Sequence, residues 1–275
     1  MRVIPTQHNG LFSTNLGDLE HPSLWAGLEL AYFPHNDGGG NKLKGYGRLA
    51  TNATLHGTYS WIGSDIGKMW QPDGVSGYAN TNNTSFVNKI DNDFSYMMWT
   101  WSTSTLTNNE RWWGVEDSDY PKLFAIVKNA GSKVCQIQTQ TSDDDNTLEL
   151  WKTTSETVDT ETRPMSFVAS IDWSTEDAIL SVGGGSTPMS QQGSGSIGTV
   201  SENDLPIFIG ARNHNGTEKH FIKAGFSTIA WWSRQLSQEE HRILGNDPFV
   251  LCRRRASRSL SSLSQLRGTR SSRRA

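Results

Sequence analysis

The sequence predicts an all-β domain, a two-sheet antiparallel sandwich closed by one short C-terminal helix. Short runs rich in aromatic and β-branched residues recur between Gly, Asn, Asp and Ser turns, which is the spacing of hairpin-connected strands. Among 275 residues stand 11 Trp, 10 Phe and 6 Tyr. They supply bulky material for the space between two sheets in a chain whose mean hydropathy is only −0.55. Helical punctuation occurs in one segment alone.

Strands are read over residues 28–33, 94–101, 123–127, 134–139, 165–171, 178–182, 207–210 and 226–232. In 94–101 a period of two sends Phe94, Tyr96, Met98 and Thr100 to one face and Ser95, Met97, Trp99 and Trp101 to the other. Both faces are largely apolar, so this is a central strand. The Gly/Ser-rich stretches 183–185 and 191–198 are short loops within one domain, not linkers. The helix is predicted over 237–244. Ser237 and Glu240 form a capping box, Ile243 and Leu244 give an apolar stripe, Gly245 is the stop, and Asn246-Asp247-Pro248 prevents continuation.

Composition excludes several classes. No run reaches the ~20 apolar residues of a membrane-spanning helix, and Met1-Arg2-Val3-Ile4-Pro5 opens no signal-peptide core, so no membrane insertion and no export by that route are expected. Cys135 and Cys252 are too few for a disulfide framework. The net charge of −3 conceals a division. Residues 253–275 hold eight Arg and no acid, leaving 17 basic against 28 acidic residues before them, a net of −11. The chain is therefore divided into an N-terminal segment 1–23, a sandwich domain 24–252 and a basic tail 253–275 with Arg253, Arg254, Arg255, Arg258, Arg267, Arg270, Arg273 and Arg274.

An ordered series of motifs then gives a resemblance. Leu24-Trp25-Ala26-Gly27-Leu28-Glu29-Leu30-Ala31-Tyr32-Phe33 is followed by Gly38-Gly39-Gly40, Gly45-Tyr46-Gly47 and Asn52-Ala53-Thr54-Leu55-His56-Gly57. Next come Asp73-Gly74-Val75-Ser76-Gly77-Tyr78, the aromatic strand at 94–101, and Phe167-Val168-Ala169-Ser170-Ile171-Asp172. The closing stretch is Ile229-Ala230-Trp231-Trp232-Ser233-Arg234-Gln235-Leu236-Ser237-Gln238-Glu239-Glu240. Taken together these resemble a laminin G-like, concanavalin A-like jelly-roll domain, over roughly residues 24–255. Such endings resemble those of jelly-roll proteins encoded by tailed bacteriophages.

The resemblance implies a calcium site at the sandwich rim, built from carboxylates and carbonyls. Asp73 is the candidate ligand. Its expected partners are replaced, by Gly77 in the same turn, Ser227-Thr228 before the final strand, and Lys42 early on. No cofactor is therefore expected, calcium being the only one that the resemblance leaves open. Asp143-Asp144-Asp145 could gather a cation, although three consecutive side chains cannot all face one ion and a solvated hairpin tip competes. The nearest approach to a glycan-hydrolase set is Glu156, Asp159 and Glu161, whose spacing puts Glu156 on the opposite face from the other two. Among the His residues, none pairs with another at metal-ligand spacing; His214 and His220 are separated by a Gly turn. No Ser elbow, phosphate loop or Cys/His arrangement stands out.

Trp112 and Trp113, in Arg111-Trp112-Trp113-Gly114, are the candidate sugar-stacking pair, with packing between the sheets as the competing role. The Arg residues of the tail are candidates for a partner-binding segment, either on an acidic protein surface or on nucleic acid, and without interleaved aromatics for base stacking. The resemblance and the tail together lead to the expectation of a non-enzymatic structural or adhesive component of a phage-like virion, located in the virion and partnered by a capsid or tail assembly. The alternative is a carbohydrate-binding module of a cell-surface or secreted protein, with glycans as partners, and a glycan hydrolase comes last.

Overall fold

The computed structural model describes residues 13, 15–37, 39–84, 93–102, 110–116, 122–128, 134–140, 148–152, 164–172, 177–183, 185–191, 205–214 and 216–255. In chain order the first strands are β1 (Leu28–Tyr32), β2 (Lys42–Leu43), β3 (Gly45–Tyr46), β4 (Ala53–His56), β5 (Tyr59–Ser64), β6 (Gly67–Pro72), β7 (Tyr78–Asn80) and β8 (Phe94–Ser102). The middle of the chain forms β9 (Glu110–Glu116), β10 (Lys122–Lys128), β11 (Val134–Gln140), β12 (Leu148–Lys152), β13 (Met165–Asp172), β14 (Asp177–Val182) and β15 (Gly185–Gln191). There follow β16 (Phe208–Ile209), β17 (Arg212–His214), β18 (Thr217–Lys219), β19 (Ala224–Trp232) and the helix α1 (Gln238–Asn246).

Two curled sheets result. The first runs β3-β1-β19-β8-β13-β14-β15, with the β5–β6 hairpin joining β19 through Phe226 and Trp70. The second runs β2-β4-β7-β16-β9-β10-β11-β12, and β15 also pairs with β12, linking the sheets. Apart from the parallel β17–β9 contact, these pairings are antiparallel. This is the predicted jelly-roll sandwich.

The alternation read in 94–101 places its residues as expected. Phe94, Tyr96 and Met98 enter the core between the sheets, beside Trp70, Trp113, Phe167 and Trp231. Met97 and Trp99 point the other way, into a second apolar layer with Leu24, Trp232, Leu244, Val250 and Leu251. Strand β8 is central, flanked by β13 and β19. Each such side chain, fully buried, contributes about 1.5–3 kcal/mol of transfer free energy.

The outer layer explains why the first sheet is covered on both sides. It consists of α1, the 3-10 turn Pro22–Trp25 and the segment after the helix. Trp99 Nε1 donates to Leu244 O (3.1 Å), and Trp232 Nε1 donates to Leu24 O (2.7 Å). Both indoles thus keep a hydrogen bond when buried. The helix runs two residues past its predicted end. Gly245 is not a stop, because the following Pro248 forces Asp247 into extended backbone (φ −142°) and that ends the helix instead. Among the described residues no helix is long and apolar enough to cross a membrane.

Candidate functional site

In the second sheet, strand register says which side chains lie on the outer face. Leu55 lies opposite Ala79, Ala79 opposite Ile209 and Ile209 opposite Trp113, and all four are buried in the core between the sheets. Their neighbours along each strand must face outward. The outward row is Lys42, Thr54, Asn80, Phe208 and Gly114, and the next row holds His56 opposite Tyr78.

This face carries an aromatic platform. The rings of His56 and Tyr78 stack at 4.8 Å with an interplanar angle of 11°. Tyr78 continues onto Phe208 at 4.5 Å and Phe221 at 6.4 Å. Phe208 is buried, whereas His56, Tyr78 and Phe221 are half-buried. Beside it Asn82 donates from Nδ2 to Thr54 Oγ1 (2.8 Å), and its backbone N–H donates to Asn80 Oδ1 (2.8 Å). Burial, helped by the Glu218 carboxylate, holds the Tyr78 phenol above its ordinary value, so it stays a neutral hydrogen-bonding group.

Trp112 and Trp113 are not on that surface. Both are fully buried, packed on Phe167 and on Tyr96 and Trp231 respectively. The cause is a β-bulge in β9: Trp113 pairs with Ala125 but Arg111 pairs with Ile126, leaving Trp112 without a partner in β10. Two successive side chains then turn inward. The residue that the bulge sends outward in their place is Gly114, next to Phe208.

Asp73, the candidate calcium ligand, is engaged by its own turn. Its Oδ1 accepts from the backbone N–H groups of Val75 (2.9 Å), Ser76 (2.8 Å) and Gly77 (2.7 Å), and its Oδ2 accepts from Ser76 Oγ (3.1 Å). Partial burial works to raise this carboxyl, but the three amides and the hydroxyl together hold it below the usual range. At Gly77 an added Cβ would lie 2.2 Å from Thr58 O, so no carboxylate can stand there. The late positions serve backbone carbonyls: Thr228 Oγ1 donates to Pro248 O (2.8 Å) and Ser227 Oγ to Ile66 O (3.3 Å). Among the described residues no group of three His, Cys, Asp or Glu side chains gathers to hold a metal. Asp143, Asp144, Asp145, Glu156, Asp159 and Glu161 lie outside the described residues.

Two arrangements that the sequence did not suggest bring nucleophile types against imidazoles, and both are structural. His35 Nδ1 faces Ser227 O at 3.0 Å and must donate, which leaves Nε2 as an acceptor 3.4 Å from Cys252 Sγ. Burial lowers His35 to about 4 and raises the Cys252 thiol to about 12, the reverse of a reactive thiolate pair. In the second, Ser95 Oγ donates to Arg234 O (2.8 Å), so Ser170 donates to Ser95 (2.6 Å) and His241 Nε2–H to Ser170 (2.7 Å). The remaining Nδ1 then accepts from Ser181 Oγ (2.8 Å). Ser170 has no proton left for His241 to take, and the whole chain of hydroxyls is buried under α1.

The basic segment begins inside the fold. Glu20 N donates to Arg253 O (2.9 Å), Arg255 N to Asp18 O (2.8 Å), and Leu19 bridges Arg254. Arg253 also pairs with Asp247 at 2.7 Å and Arg254 with Asp18 at 3.7 Å. Residues before 24 and after 252 are thus part of the outer layer, while Arg258, Arg267, Arg270, Arg273 and Arg274 lie outside the described residues.

No family model and no curated protein matches the sequence. Among solved structures, a receptor binding domain superposes with a TM-score of 0.58 at 10% identity, over 82% of this chain and 51% of that one. The binding domain of botulinum neurotoxin DC in complex with SialylT gives 0.56 at 9% identity, over 81% of this chain and 52% of that one. The fold is a jelly-roll sandwich. A Trypanosoma rangeli sialidase in complex with the inhibitor DANA matches with a TM-score of 0.53 at 13% identity, over 79% of this chain and 32% of that one. The chain thus spans about half the length of the two binding domains and a third of the sialidase. The matches concern the sandwich, and nothing in them bears on a virion or a bacteriophage source.

Proposed function

We propose that this lectin-like domain is a non-catalytic carbohydrate-binding module whose contact surface is the outer face of β4, β7 and β16. The observation that carries the reading is the half-exposed His56–Tyr78 stack at 4.8 Å, extended by Phe208 and Phe221. A pyranose has an apolar C–H face and an equatorial rim of hydroxyls. An aromatic platform takes the first, and the side chains of Thr54 and Asn80 along its border can hydrogen-bond the second. The ligands named with two of the matched structures, SialylT and DANA, support a glycan as the ligand class. A shallow platform of this kind gives weak single-site affinity, on the order of micromolar to millimolar, and gains by multivalent display.

The test is an immobilised glycan panel read with the intact chain and with Tyr78→Ala. Binding to at least one glycan, reduced tenfold or so in the variant at unchanged melting temperature, is the expected result. Binding that survives Tyr78→Ala and His56→Ala together would move the site elsewhere.

A second reading, attachment to an anionic surface through the Arg-rich segment, is favoured by its eight Arg without an acid, set against a net of −11 in the rest of the chain. A place in a virion depends on that segment and on the sequence resemblance. It is the less supported of the two.

A further inference from the structure

We infer that the loop between β1 and β2, together with Lys44 and with Lys68 of the β5–β6 hairpin, forms a second binding site, apart from the aromatic platform, for an acidic group, a carboxylate or a sulfate. Its basis is the placement of three charged side chains. The Nζ of Lys44 lies over the Tyr46 ring, 5.2 Å from the centroid, and that of Lys68 over the Trp61 ring at 4.6 Å. Both ammoniums act on the carboxylate of half-buried Asp37. Among the described residues, however, neither closes an ion pair with it. The hydrogen bond that Asp37 Oδ2 accepts comes from the backbone N–H of Lys44 (3.2 Å).

Two cations thus converge on one acid while resting on separate rings, and a second anionic group completes the balance. The backbone leaves room for it beside Lys68. Gly39 and Gly40 have φ of +103° and +102°; a Cβ on Gly39 would come 3.3 Å from Lys68 Nζ, and one on Gly40 would meet nothing within 4 Å. Tyr59 Oη pins this stretch by donating to Gly40 O (3.1 Å). An acidic group lodged there accepts charge-assisted hydrogen bonds from the ammoniums. Asp37 opposes it only while charged, and that charge is easily removed. Burial pushes Asp37 up to about 6, although the Lys44 N–H and both lysine charges act to lower it. A bound anion raises it further, so binding draws in a proton, and affinity rises as pH falls toward 6 and levels off below it. The other titratable groups beside the loop stay neutral in this window. Burial and the Asp37 and Cys252 charges raise Tyr46, while burial lowers His35 to about 4 and raises Cys252 to about 12. Asp65, in the turn of the β5–β6 hairpin, is exposed and does not act on Asp37.

The experiment follows the backbone amides of Gly39, Gly40 and Lys44 by NMR in the full chain, as sulfate, or pyruvate as a carboxylate, replaces chloride at equal ionic strength. Saturable shifts at these amides are expected with at least one of the two, at a dissociation constant in about the millimolar range, and the arm that binds identifies the group read. Binding should be about threefold or more tighter near pH 5.5 than near pH 8. Lys44→Met and Lys68→Met keep the apolar stem and should each weaken it several-fold, whereas Lys68→Arg should preserve it. Lys44 is exposed, so Lys44→Met carries the test should Lys68→Met perturb the hairpin. Asp37→Asn should bind at least as tightly as the parent near pH 8 and lose the pH dependence. Tyr78→Ala should change nothing, which separates this site from the platform. Shifts that chloride reproduces, or that persist when Lys44→Met and Lys68→Met are combined, overturn the site. A pH dependence that survives Asp37→Asn overturns the coupled proton.

Discussion

Arg234 grips Glu240 through both guanidinium nitrogens, Nη2 to Oε1 at 2.6 Å and Nη1 to Oε2 at 2.9 Å. The same Glu240 Oε2 accepts from Ser237 N (2.8 Å), and Ser237 Oγ accepts in return from Glu240 N (3.2 Å). Arg234 Nε meanwhile donates to Ala26 O (2.7 Å), with its stem lying over Gly27, where φ is +70° and a Cβ would sit 3.1 Å from the side chain. One arginine thereby ties the helix cap to the first strand.

Ser237→Ala should cost about 1 kcal/mol, the ordinary value of a lost N-cap. Arg234→Ala should cost more, about 2 kcal/mol or above, because it removes the fork and leaves a partly buried carboxylate without its cation. Urea midpoints of the single and double variants would check both the order and the coupling between them. Burial acts to raise Glu240, yet Arg234 and the cap lower it overall, so this contribution is present above the ordinary carboxylate value and disappears as pH falls through the lowered one.

Stability should also decline in mild acid because of two buried imidazoles. Burial lowers both His241 and His35 from 6.5 to about 4. Between those values the unfolded chain binds protons that the folded chain refuses. Folding free energy is therefore complete above pH 6.5 and shrinks as pH falls toward 4, for His241 by about 1.4 kcal/mol per pH unit. Denaturant titrations across this window should show the decline, with a shallower slope in His241→Asn. A flat profile in the parent chain would mean that neither ring is held neutral.

The sequence disclosed the layers of this molecule more readily than its surface. The two apolar faces of 94–101 announced a covered central strand, and the Ser237 and Glu240 spacing announced the cap, because periodicity and capping are local signals. Packing of Trp112 and Trp113 between the sheets was legible as the ordinary role of Trp in a sandwich, whereas the device that turns two successive side chains inward was not, since a bulge shifts register without leaving a residue pattern. The His56–Tyr78 stack was hidden for a different reason. Its members are far apart in the chain and meet only through the β4–β7 register, which the segment 52–57 does not specify on its own.

Asp73 should matter for stability without calcium. Its carboxylate accepts three backbone N–H groups that water would otherwise have to reach in a tight turn, so Asp73→Ala should lower stability by about 1–3 kcal/mol. Adding chelator to the parent chain should leave its melting temperature where it was. Gly77→Ala should be worse than Asp73→Ala, since its Cβ would meet backbone at 2.2 Å and the turn would have to open. A drop in melting temperature with chelator would locate a cation site outside the described residues.

The basic segment should divide functionally two residues or so after the position at which composition changes. Cutting after Arg255 keeps the Leu19–Arg254 bridge, the Glu20 N to Arg253 O and Arg255 N to Asp18 O hydrogen bonds and the Arg253–Asp247 pair. Cutting after Cys252 removes all of them and leaves the Ser13 N to Cys252 O hydrogen bond. The longer chain should melt like the parent. The shorter one should melt several degrees lower, because hydrogen bonds of this kind contribute about 1 kcal/mol each and a domain of this size shifts by about 2–4 °C per kcal/mol. If attraction to an anionic surface depends on the distal arginines, both truncations should weaken retention on a polyanionic resin alike, in a salt-dependent manner. Retention that persists in the chain ending at Arg255 would assign the attraction to Arg253, Arg254 and Arg255, next to the acidic side chains that already hold two of them.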